Sequence, residues 1–99
     1  MKTHPNSKPV AVVTGGARGI GLEICNTFLQ RGYRVAALDV DKETLAKTDA
    51  QFNSPDFLAI HCDVSKPMQV SRTIDRIEKK FGRIDSLVNN AGVAIFKPI

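Results

Sequence analysis

The stretch VAVVTGGARGIG, residues 10–21, decides how the rest of the chain is read. Its first five residues, Val10 to Thr14, form a short continuous apolar run rich in β-branched side chains. Such a run fits a strand buried on both faces. A glycine-rich turn follows, Thr14-Gly15-Gly16-Ala17-Arg18-Gly19-Ile20-Gly21, and from Ile20 the apolar residues recur at helical spacing. Ile20, Ile24 and Phe28 make one row, with Cys25 and Leu29 beside it. The helix should stop at Gly32, a residue suited to the left-handed conformation after a helix end.

Strand, glycine turn and helix in that order suit a dinucleotide. The turn must be tight, the backbone must approach a pyrophosphate without a Cβ in the way, and the helix must pack close to the strand. The helix N-terminus adds free N–H groups and a positive dipole. Gly15, Gly19 and Gly21 are the candidate cradle, with Arg18 and Ile20 between them. A lone glycine triplet is a weak signal, and its position between strand and helix is what strengthens it.

Outward from this turn the pattern repeats. Arg34 to Asp39 reads as a second strand, and Lys42 to about Phe52 as a weaker helix anchored by Leu45 and Phe52. The turn signal Asn53-Ser54-Pro55-Asp56 precedes a third strand, Phe57 to Cys62. Val70, Ile74, Ile77 and Phe81 mark the buried face of a third helix, with Ser65 as its expected cap, Pro67 in its first turn and Gly82 at its end. Ile84 to Asn89 is the fourth strand. The order βαβαβαβ implies a parallel sheet with right-handed crossovers. The expected fold is α/β, the first half of a Rossmann-type doubly wound sheet with strand order 3-2-1-4. It occupies residues 9–99 behind a tail at 1–8, with the first two helices on one face and the third on the other.

Asp39 closes the second strand, about 20 residues past the glycines, where a carboxylate meets the adenosine ribose. It can accept both ribose hydroxyls, each charge-assisted bond contributing about 1.5–3 kcal/mol. It would also repel a 2′-phosphate, so Asp39 favours NAD over NADP. The plainer reading is a turn aspartate within LDVDK.

The glycines read TGxxxGxG and not GxGxxG. With Asn89-Asn90-Ala91-Gly92 after the fourth strand, the chain resembles the short-chain dehydrogenase/reductase family, in its shorter, single-domain branch, from about Pro9 to Ile99. The resemblance implies hydride transfer between a nicotinamide cofactor and a secondary alcohol or ketone. It also implies that the Asp63 side chain and Val64 backbone contact adenine, and that Asn90 and Ala91 line the adenosine ribose side. Asp63 could equally help Ser65 cap the third helix. In the family a basic residue at the position of Arg18 goes with NADP, which makes an NADP-dependent 3-oxoacyl reductase the runner-up. Arg18 could also be a solvated turn residue or lie near the pyrophosphate.

The family's proton donor is a tyrosine with a lysine four residues later, supported by a serine and an asparagine. None of these can be placed here. Tyr33 lies in the turn RGYR and is followed four residues later by Ala37, while His4 is in the tail and His61, within the third strand, reads as structural. No catalytic residue is assigned. The chain alone is expected to be inactive, a binding module or a fragment of a longer enzyme. An apolar edge on the fourth strand would leave it marginally stable or prone to associate.

Composition fits a soluble globular domain: 99 residues, 42% hydrophobic, 24% charged, net charge +4. Lys79, Lys80 and Arg83 cluster without interleaved aromatics, so they read as a solvated helix end and not a nucleic-acid surface. MKTHPNSK has no apolar stretch for a signal peptide, and no window approaches the run of about 18 apolar residues that a membrane span needs. Cys25 and Cys62 read as buried thiols. A cytoplasmic protein is expected, acting on a small molecule, with no nucleic-acid or membrane partner, and homo-oligomeric at full length.

Overall fold

The computed structural model describes residues 8–91. The tail that carries His4, and the residues from Gly92 to Ile99, lie outside the described residues. The elements run β1 (Val10–Thr14), α1 (Gly19–Gln30), β2 (Arg34–Asp39), α2 (Lys42–Phe52), β3 (Phe57–His61), α3 (Pro67–Phe81) and β4 (Ser86–Asn89). All strand pairs are parallel and the order is β3-β2-β1-β4, as the alternation of strands and helices predicts.

Every residue of β1 is buried, because β1 lies between two strands and under helices on both faces. Its side chains alternate. Val10 and Val12 join Ala36, Leu38, Ile60, Cys62, Ile77 and Phe81 on the face covered by α3. Val13 joins Val35, Ala37, Phe57 and Cys25 on the face covered by α1, with Ile24, Phe28, Leu29 and Phe52 against it. The two cysteines are therefore free, buried, and on opposite faces of the sheet. Burial pushes the Cys25 thiol up to about 12, so it stays protonated and inert.

Three expectations need correction. Ile20 does not belong to the buried row of α1: it is 72% exposed, and the row starts at Ile24. Ser65 does not cap α3. Lys66 holds the N-cap position without a side-chain bond, and Pro67 fills the first helical position, where a missing N–H costs nothing. The hydroxyl of Ser65 is turned back to Asp63. The outer strands are also shorter than their apolar runs, since Cys62 and Ile84 lie just outside β3 and β4.

Two details fix the register of β4. Asp85 donates its N–H to the carbonyl of Val10 at 2.9 Å, and its carboxylate accepts the N–H of Val10 at 2.8 Å. On the α3 face of β4, Leu87 pairs in register with Val12 yet is 66% exposed, since α3 lies over the other strands. A hollow of about 710 Å³ between Arg72, Asp75, Arg76, Glu78 and Lys79 is a solvated face of α3.

Candidate functional site

The carboxyl ends of the four parallel strands point the same way, and the loops leaving β1, β2, β3 and β4 gather there. Between β1 and β4 the chain reverses its direction of winding, the place where open α/β sheets bind ligands.

The glycine turn is built by close approach. A Cβ on Gly21 would overlap the carbonyl of Gly15 and crowd the side-chain amide of Asn90. Gly15 itself takes φ +65°, and a Cβ there would sit 2.9 Å from the same amide. Gly19 takes φ +59° but has nothing within 4 Å of where its Cβ would be, so it faces open space. The N–H groups of Gly15 and Gly16 both donate to the carbonyl of Leu38, at 2.7 and 3.3 Å, which fastens the turn to β2.

Ala17 sits at the crest of this turn and is held at both ends. Its N–H donates to the Asp39 carboxylate at 3.2 Å, and its carbonyl accepts the hydroxyl of Thr48 at 2.7 Å. Asp39 also accepts the N–H of Asp41 at 3.2 Å. With two backbone donors on a carboxylate that can accept about four bonds, capacity remains for two hydroxyls.

No side chain caps α1. Arg18 is at its N-cap in extended backbone with no side-chain bond to the helix, and no acidic residue stands in its first turn. Helix α2 differs: the Asp41 carboxylate accepts the Thr44 N–H and hydroxyl at 3.1 and 2.8 Å. An open helix N-terminus behind a glycine turn, with no carboxylate in its first turn, is the donor set a pyrophosphate requires. The open N-terminus of α1 and the spare acceptor capacity of Asp39 are compatible with the phosphates and ribose hydroxyls of a dinucleotide.

The opposite wall is the loop after β4. The Asn90 amide donates to the Gly15 carbonyl at 3.1 Å. The Thr14 hydroxyl accepts the N–H of Ala91 at 2.9 Å and directs its proton toward Asn89 Oδ1 at 3.2 Å. Asn90 thus braces the glycine turn from the side, and Ala91 is drawn to the end of β1. Gly92, the fourth residue of that motif, lies outside the described residues.

Asp63 and Val64 follow β3. The Asp63 carboxylate accepts the Ser65 hydroxyl at 2.7 Å and its N–H at 3.0 Å, and these bonds hold its carboxyl below the usual range. Its own N–H donates to Gln69 Oε1 at 2.9 Å. Val64 is 41% exposed. Val40 and Val64, on the loops after β2 and β3, and Ile20, in the first turn of α1, are large apolar side chains left exposed.

Arg18 reaches across to Asp41, Nη2 to Oδ2 at 3.0 Å. Tyr33 lies at the opposite end of the sheet, edge-on to Phe28. His61 ends β3, paired in register with Asp39, and is exposed. Among the described residues no group of His, Cys, Asp or Glu is arranged to hold a metal ion. Sequence reasoning missed Thr48, Asp41 and Gln69. Only Asp41 left a local signal, as an aspartate directly before a helix start.

A family model described as short chain dehydrogenase matches residues 9–99. The chain is 44% identical over 94 residues to the 15-hydroxyprostaglandin dehydrogenase [NAD(+)] of Rattus norvegicus, covering 91% of this chain and 35% of that protein. It is 43% identical over 84 residues to the 3-oxoacyl-[acyl-carrier-protein] reductase of Bos taurus, covering 85% of this chain and 35% of that one. A crystal structure of a short chain dehydrogenase from Bacillus anthracis superposes with a TM-score of 0.80 at 31% identity, over 88% of this chain and 36% of that chain. The chain spans little more than a third of the length of the relatives it matches.

Proposed function

The chain belongs to the short-chain dehydrogenase family, an oxidoreductase family that binds nicotinamide cofactors, and from that membership we propose that it is the NAD-holding part of an enzyme interconverting a secondary alcohol and a ketone. When bound, the nicotinamide supplies or accepts the hydride. The work of these residues is to bind and orient. Gly15, Gly19 and Gly21 admit the pyrophosphate to the N-terminus of α1, where Arg18 and Ile20 flank it. Asp39 takes the ribose hydroxyls, Asp63 and Val64 border the adenine, and Asn90 and Ala91 close the ribose side.

The observation that carries the choice of NAD is the Asp39 carboxylate, fixed by the N–H groups of Ala17 and Asp41 at the carboxyl end of β2. A fixed negative charge there accepts hydroxyls and opposes a phosphate. Replacing Asp39 with Ala should lower NAD affinity relative to NADP by about tenfold, the equivalent of 1.4 kcal/mol. An unchanged ratio of the two affinities, read by calorimetry, would remove Asp39 from the ribose site.

Arg18 supports a second reading, an NADP-dependent 3-oxoacyl reductase, because its guanidinium stands 67% exposed beside the same site. In either case the complete protein would act on a small molecule as a cytoplasmic homo-oligomer. The 99-residue chain tested alone should bind cofactor without turning over an alcohol. Turnover by the chain alone would show that one of its own side chains moves the proton.

A further inference from the structure

Arg18 and Asp41 come together from two different loops, one between β1 and α1 and the other between β2 and α2. The Asp41 carboxylate is not free to leave. One oxygen accepts the Thr44 N–H at 3.1 Å as the cap of α2, and the other accepts the Thr44 hydroxyl at 2.8 Å and the Arg18 guanidinium at 3.0 Å. Its backbone N–H is bound to Asp39 at 3.2 Å, so the two carboxylates are fixed relative to each other. The Arg18 side chain, by contrast, is 67% exposed and tethered only by this pair.

A 2′-phosphate on the adenosine ribose would need a cation close to Asp39, and Arg18 stands next to it in the turn. From this geometry we infer that Asp41 is a specificity-determining residue: it withholds Arg18 from a 2′-phosphate and so disfavours 2′-phosphorylated nucleotides. The inference rests on the cofactor reading above and adds to it a second carboxylate, acting through Arg18 and not by contact with the ribose. The Thr44 bonds keep the Asp41 carboxyl below the usual range, so its charge is present throughout neutral pH.

The arrangement explains how a chain with a basic residue in its glycine turn can still reject the phosphate that residue would suit. The guanidinium is engaged by Asp41, two residues beyond Asp39. Removing one carboxylate frees the guanidinium without touching the other.

The test is a calorimetric titration of the protein with 5′-ADP and with 2′,5′-ADP, comparing the natural chain with Asp41→Asn, Arg18→Ala and the double variant. Asparagine caps helices as well as aspartate, so Asp41→Asn keeps the cap of α2 and the fold. It should shift the affinity ratio toward 2′,5′-ADP by about fivefold, the scale of one exposed ion pair redirected to a new partner. The shift should shrink in about 0.5 M salt, because the pair is exposed to screening. It should vanish in the double variant.

An unchanged ratio in Asp41→Asn, or a gain that survives Arg18→Ala, would overturn the inference and leave the cofactor reading standing. Failure of every variant to bind either nucleotide would overturn both.

Discussion

The hydroxyl of Thr48, in the second turn of α2, donates to the carbonyl of Ala17 at 2.7 Å and thereby ties a helix to the crest of the glycine turn. Thr48 is buried, and no water can take its place without opening that contact. Replacing Thr48 with Val keeps the shape and removes the donor. The Ala17 carbonyl is then buried without a partner, a loss of about 1–3 kcal/mol. Urea denaturation should show it as a lower midpoint at unchanged slope, and nucleotide affinity should fall because the turn is less fixed. Unaltered stability would mean that the turn holds its shape through Asp39 and Leu38 alone.

Gly21 and Gly19 separate two reasons for glycine. A methyl at Gly21 collides with the Gly15 carbonyl and the Asn90 amide, and both are backbone or braced atoms that cannot move cheaply. A methyl at Gly19 meets nothing and costs only the strain of φ +59°, about 1–2 kcal/mol. Gly21→Ala should therefore be the more damaging, losing nucleotide binding together with stability. Gly19→Ala should retain the fold. Thermal melts of the two variants in parallel decide between them, and equal losses would contradict the contacts described.

Asp85 links pH to the sheet. Hydrogen bonds from Arg83 and then from the Val10 N–H hold its carboxyl below the ordinary value of 3.8. A carboxyl whose value is depressed by folding contributes stability above its unfolded value and loses it as pH falls through the folded one. The chain should therefore destabilise as pH drops below about 4. Asp85→Asn should flatten that dependence while lowering stability at neutral pH. An acid profile identical to that of the natural chain would show that Asp85 is not coupled to β1 pairing.

Leu87 predicts association. It lies on the α3 face of the outermost strand of this sheet with two thirds of its surface exposed. Sedimentation of the 99-residue chain should reveal concentration-dependent association, reduced by Leu87→Lys. A monomer that melts sharply at the same concentrations would rule this out.

The strand order was legible because it follows from alternation, and the candidate site is proposed from the same pattern. Each apolar run of four to six residues is a strand, and each helical pattern between them is a crossover. Glycines at a strand-to-helix turn then point to a crevice at the carboxyl ends. Ile20 shows where periodicity stops. It keeps helical spacing with Ile24 and Phe28, but it lies in the first turn of α1, where the helix faces the crevice and not the sheet. An apolar side chain with helical spacing does not say which of those it faces. Ser65 misled for a different reason: its hydroxyl has a nearer acceptor in Asp63 than the end of α3, and sequence spacing does not rank the two. Thr48 and Ala17, like Arg18 and Asp41, are far apart in sequence, and each pair is brought together only when α2 docks on the sheet.

The two bonds between Val10 and Asp85 join residues 75 positions apart, and they close one side of the most deeply buried strand. On a ribosome, where the chain emerges from its N-terminus at about 5–20 residues per second, β1 gains β2 early and then waits. Its other edge stays bare while α2, β3 and α3 are made. Of the four described strands, β1 is thus made before the others and enclosed last, so for several seconds of every round of translation its unpaired edge depends on whatever shields nascent chains.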